Sequence, residues 1–187
     1  DLAKRSVFTA IAVVAMCLPS LAAPLQWTVS GGKLTGAKNI NVNGSFLDVA
    51  FVDGTCAAVF GACDAAHFFF HGAASVNDAQ IALITQVFVD NVVVDGVTYE
   101  FRSAPSDVFD AARFIRTPHS TGPFPGIVRG STLFFPAPAT LPPSLNPNEI
   151  YIVSTDTSSL QGTFWARWSD AVPMSESEPM PAFLAVA

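Results

Sequence analysis

The chain has 187 residues, of which 50% are hydrophobic and 13% charged, and its formal net charge is −6. That apolar content is too high for a disordered chain and supports the core of one domain. Lys and Arg together number 9 and no basic run follows Arg5, so the clustered cations that displace nucleic-acid counterions are missing and nucleic acid is discounted as a partner.

Residues 1–23 read as a secretory signal peptide. Lys4 and Arg5 form a positive start, SVFTAIAVVAMCL an apolar stretch, and Pro19 breaks it before Ser20-Leu21-Ala22-Ala23. Cleavage is expected after Ala22 or Ala23, because the run is short for a bilayer span and its flanks are those of a removed leader. The alternative is a buried N-terminal helix. Lipidation at Cys17 would want a small residue before it, and Met16 stands there.

Residues 24–172 read as a single domain. A first strand is predicted over Leu25 to Ser30, followed by a turn in GGKLTG. Asn41 to Asp53 alternates, with Leu47, Val49 and Phe51 on one face, as in a half-buried strand. Cys56 and Cys63 follow in GTCAAVFGACD, where Gly54 and Gly61 permit tight turning. In an oxidising compartment this pair is expected to close a short disulfide loop; two free buried thiols are the alternative. Ala66 to Gly72 reads as a short aromatic strand.

Ser75 to Phe88 reads as the one good helix, capped by Ser75 with Asp78 at the capping-box position. Ile81, Ile84 and Phe88 are expected to be its buried face. Asp95-Gly96 between β-branched runs marks a hairpin, since both central residues of a type I′ turn need positive φ. Ser103 to Pro125 reads as irregular, with a helical turn near Asp107 to Arg113. Ile127 to Phe135 is a strand, and the proline-rich Ala137 to Asn148 an extended surface loop. Glu149 to Thr155 and Gly162 to Ser169 are the last strands, expected to pair across TDTSSLQ. Short strands separated by turn signals predict an all-β (mostly) fold: a β-sandwich, jelly-roll-like, with one short α-helix and long Pro-rich loops.

Candidate chemistry is sparse. His67 and His71 on a strand would stand roughly 13 Å apart, too far for one metal, and His119 falls in a proline-rich stretch. Asp48, Asp53, Asp64, Asp90 and Asp95 sit at strand ends and turns. A Ca²⁺ site is conceivable there on hard-oxygen grounds, but turn formation explains the same residues, and no metal ligand set is assigned. No nucleophile motif occurs, and Glu100 and Glu149 are not marked as a glycosidase pair. No catalytic residue is therefore assigned. Trp27, Tyr99, Trp165 and Trp168 could stack on sugars or pack a core. Trp165 shares a face with Thr163 and Arg167, which makes Trp165 and Arg167 the candidate ligand contacts.

After Trp168 the chain runs SDAVPMSESEPMPAFLAVA. The Trp168 to Pro173 segment, the Glu178-Pro179 spacer and the apolar AFLAVA resemble the start of a PEP-CTERM sorting signal, and the interior FVDGTCAAVFGACD with QVFVD resembles features of exported proteins in that group. Ser177 stands where the family motif has Pro, the apolar helix is incomplete and the basic cluster is absent. Residues 173–187 then read as a linker and the start of a truncated C-terminal sorting or anchor segment. The resemblance implies export, exosortase-type processing and cell-surface or extracellular-matrix association, and it implies no catalytic activity. An extracellular carbohydrate-binding module, with polysaccharide as partner, and a secreted hydrolase are the alternatives.

Overall fold

The computed structural model describes residues 23–109, 114–135 and 143–172. The segment read as a signal peptide, up to residue 22, and the one read as a C-terminal sorting segment lie outside the described residues, as do part of the helical turn expected near Asp107 to Arg113 and part of the loop expected over Ala137 to Asn148. Among the described residues nine strands run in chain order: β1 (Gln26–Ser30), β2 (Lys33–Val42), β3 (Ser45–Val52), β4 (Val92–Val94), β5 (Val97–Tyr99), β6 (Phe114–Thr121), β7 (Ile127–Phe134), β8 (Ser144–Ile152) and β9 (Thr163–Asp170). Helix α1 (Cys56–Phe60) follows β3, and α2 (Ala73–Ala82) continues into a π-helical turn, Leu83–Val87.

The fold is mostly β and sandwich-like. Seven strands form one sheet in the order β1-β2-β3-β9-β6-β7-β8, and β4-β5 form a separate hairpin. Neighbours are antiparallel except β6 and β9, which run parallel. The last strand therefore does not pair with β8 across TDTSSLQ. It inserts between β3 and β6, and β8 is left at the edge beside β7. Its register explains the choice: Val49 meets Trp168 and Phe51 meets Ala166, which puts the apolar positions of β3 and β9 on one face.

That inner face carries the main core. Ile40, Leu47, Val49, Phe51, Ile115, Leu133, Phe164 and Trp168 meet Val76, Ala79, Leu83, Val87 and Phe88 from the helical layer, with Phe70 and Phe101 beside them. Phe51 lies between Phe88 (ring centroids 5.5 Å) and Phe164 (5.3 Å). Helix α2 packs against β2, β6, β7 and β8, so it lies across the inner face from one half of the sheet to the other.

Several local readings are corrected. The helix begins at Ala73, two positions before Ser75, whose Oγ donates to the carbonyl of the N-cap Gly72. Asp78 does not close a capping box, because its Oδ2 accepts from Asn43 Nδ2 at 2.7 Å. The buried side of α2 is Val76, Ala79, Gln80 and Ala82, and Ile81 is 49% exposed. Small alanines let the helix approach the sheet, and the wider π turn then rotates Leu83 and Val87 inward.

The single strand expected over Asn41 to Asp53 is two strands joined at Asn43-Gly44. Both residues have positive φ, 51° and 90°, the conformation of a type I′ hairpin. Ala66 to Gly72 forms no strand, although Phe68 and Phe70 are buried. Phe114–Thr121, expected to be irregular, is β6. Pro147 lies inside β8. It is tolerated there because β8 is the sheet edge and its register with β7 shifts at that point, where no ladder donor is needed. The Asp95-Gly96 hairpin forms as expected, with φ of 50° and 80°.

Candidate functional site

The outer face of the sheet is divided into a covered half and a bare half. The cover is a cap that starts where β3 ends. Gly54 takes φ 134°, which only glycine adopts readily, and turns the chain back over the sheet. Thr55 then caps α1 by accepting from Ala58 N at 3.3 Å. Gly61, at φ 85°, ends the helix, and the disulfide Cys56–Cys63 closes the loop with a Cα separation of 5.4 Å. Just beyond it Asp64 Oδ1 accepts from His67 Nδ1 at 2.8 Å and from Ala66 N at 2.9 Å. The bond from His67 holds the Asp64 carboxyl below its ordinary range.

Under the cap lies a second, smaller core of Cys56, Val59, Phe68, Val128, Tyr151 and Trp165. Phe60 and Tyr151 both meet Trp165 edge to face, at 5.8 and 5.5 Å, the arrangement favoured by aromatic quadrupoles. Tyr151 OH pairs with Thr132 Oγ1 at 2.8 Å, and the Arg116 guanidinium lies 5.0 Å from the Tyr151 ring centroid, within cation–π range. Burial pushes the Tyr151 phenol well above its usual pKa. The Gly54 carbonyl accepts from Trp165 Nε1 (3.0 Å), Thr157 N (3.1 Å) and Thr157 Oγ1 (3.2 Å).

Trp165 and Arg167 thus share a face, as their spacing requires, but meet different fates. Trp165 is 0% exposed, so its ring is spent on the cap and offers no surface to a sugar. The alternation placed it correctly; what it could not reveal was a segment from more than a hundred residues upstream lying over it. Arg167 is exposed and reaches the bare half. There a groove of about 480 Å³ crosses β1, β2, β3 and β9. In register, Thr28 lies beside Gly36, Gly36 beside Ala50, and Ala50 beside Arg167. Lys38 and Asp48 also line the groove, in the irregular stretch where the β2–β3 register shifts. Asp48 Oδ1 accepts from Asn39 N at 2.9 Å. Sequence reasoning missed this groove because β2 was not recognised as a strand; the Asn43-Gly44 turn was the signal that could have found it.

The remaining candidates are dispersed. Trp168 points into the main core against Phe70 (5.6 Å), half-buried Trp27 donates Nε1 to Val87 O, and Tyr99 stacks on Phe101. His67 and His71 are exposed, outside any strand, whereas His119 is buried in β6. Asp90 Oδ1 receives the N–H groups of Arg102 and Ser103, and Asp95 sits in the hairpin turn. Among the described residues no group of three or more His, Cys, Asp or Glu side chains is placed to hold a metal. Glu100, just past the end of β5, accepts from Asn91 N, and Glu149 lies in β8 opposite Gly130. Among the described residues no helix is long and apolar enough to cross a membrane.

No protein-family model, no curated protein and no solved structure matches the chain. Fold and site define its class: a mostly β, sandwich-like domain with one face closed by a helix and the other half-closed by a disulfide-clipped cap.

Proposed function

We propose that this chain is an exported bacterial protein, associated with the cell surface or extracellular matrix, that acts without catalysis. The observation carrying the proposal is the Cys56–Cys63 disulfide, which closes the cap over the outer-face core. Disulfides of this structural kind persist in oxidising compartments, and the leader-like residues 1–23 supply the route there. The PEP-CTERM resemblance of the C-terminal segment adds exosortase-type machinery as a processing partner.

Expression of the precursor with its leader, followed by fractionation, N-terminal sequencing and thiol alkylation, tests the reading. The expected product begins after Ala22 or Ala23, lies outside the cytoplasm and resists alkylation at Cys56 and Cys63. A cytoplasmic product with an uncleaved leader and two reactive thiols would sink it.

A second reading, the extracellular carbohydrate-binding module, is favoured by the groove beside Arg167. Burial of Trp165 moves that reading away from ring stacking and onto the bare half of the sheet.

A further inference from the structure

We propose that the groove across β1, β2, β3 and β9 binds an acidic, uronate-bearing polysaccharide, with Lys38 and Arg167 as its anion contacts. The inference rests on the binding-module reading above and names its ligand class.

The chain as a whole is acidic, at −6, yet the groove gathers two cations, Lys38 and Arg167, against one carboxylate, Asp48. Among the described residues the one ion pair is His67–Asp64, and Lys38 and Arg167 are held in the sheet through their backbones. Both are exposed, so neither charge is consumed in holding the fold.

Lys38 on β2 and Arg167 on β9 are two strands apart, with β3 between them. Gly36, and not Lys38, stands level with Ala50 and Arg167, so two interstrand spacings across and two residues along put their backbones about 12 Å apart. Two long cationic side chains set over that span can each take one carboxylate of a chain that carries them at intervals. Gly36 and Ala50 keep the floor between them low.

Strands β2, β3 and β9 are paired on both sides, so their backbone groups are committed to one another. An extended acidic peptide, read mainly by main-chain pairing at a free edge, would add to β1, an edge strand of the sheet, three strands away from Arg167. The groove instead presents the hydroxyl of Thr28, the free oxygen of Asp48 and the two cations, which suit sugar hydroxyls and carboxylates.

The test is affinity of the disulfide-bonded mature chain for oligogalacturonate, neutral dextran and poly-glutamate, at about 50 and 500 mM salt, where screening differs strongly. Oligogalacturonate is expected to bind, to weaken about tenfold or more at the higher salt, and to weaken about tenfold in a Lys38→Gln/Arg167→Gln double variant. Arg129→Gln, outside the groove, should bind as the parent does. An unchanged thermal midpoint checks that the double variant is folded. Failure of oligogalacturonate to bind, equal binding of dextran, or parental affinity in the double variant overturns the inference. Binding of poly-glutamate as tight as oligogalacturonate overturns it in favour of an acidic polypeptide. None of these outcomes touches the fractionation result, so loss of this ligand and loss of the export reading are separately visible.

Discussion

Trp165 Nε1 donates to the carbonyl of Gly54 at 3.0 Å, across 111 positions of sequence. The bond ties the last strand to the first turn of the cap, and Thr157 ties the chain just before that strand to the same carbonyl. The cap is thus fixed at its root by hydrogen bonds, at its centre by the disulfide and underneath by aromatic packing. The bare groove begins two residues further along β9, at Arg167.

Trp165 should be among the costliest residues to truncate. Its side chain is fully buried and meets Phe60 and Tyr151 edge to face. Trp165→Ala is expected to lose about 3–5 kcal/mol in urea unfolding. Trp165→Phe should cost less, since Thr157 still satisfies the Gly54 carbonyl. Equal and small effects of both variants would show that the cap does not rest on this ring.

Removing the disulfide with Cys56→Ala/Cys63→Ala is expected to cost about 2–3 kcal/mol by loop-closure entropy for a sequence separation of 7. Reduction of the parent should lower stability by a similar amount. Because the cap lies on Trp165, loosening should also red-shift tryptophan fluorescence before global unfolding. A variant as stable as the parent, with unchanged fluorescence, would contradict the role given to the clip.

Much of the fold was legible from alternation and turn chemistry. The apolar positions of β3 and β9, the Asp95-Gly96 hairpin and the cysteine pair all follow from local rules. Strand pairing was not legible: β9 prefers β3 and β6 over its chain neighbour β8 because of where its apolar face finds burial, a property of the whole sheet. The face of α2 was misread for the same reason. Its buried side includes Gln80 and small alanines, which no hydrophobic periodicity selects. The groove was hidden because it is made of gaps, Gly36 and Ala50, and not of conspicuous side chains.

Gln80 offers a test of that polar seam. It is 0% exposed, and its Nε2 donates to Thr117 Oγ1 at 2.8 Å. Gln80→Met leaves the Thr117 hydroxyl buried without this partner and is expected to cost about 1–3 kcal/mol. Adding Thr117→Val should recover part of the loss, since no polar group of the pair is then left unmatched. A double variant that is additive in urea unfolding would show that the two side chains are not coupled.

His119 should make stability fall in mild acid. It is 7% exposed, and neither ring nitrogen has a hydrogen-bond partner. Burial, followed by the nearby Arg129 charge, lowers its pKa from the ordinary 6.5. The unfolded chain therefore binds this proton more readily than the folded one, so the neutral imidazole's contribution is complete above the unfolded value. It is lost as pH falls through about 6.5 toward the lower folded value, by at most about 1.4 kcal/mol per pH unit. Urea unfolding of the parent and of His119→Phe between about pH 7.5 and 5 isolates the effect, because the exposed His67 and His71 are common to both proteins. The parent should lose stability relative to the variant across that window, and parallel profiles would place the protonation elsewhere.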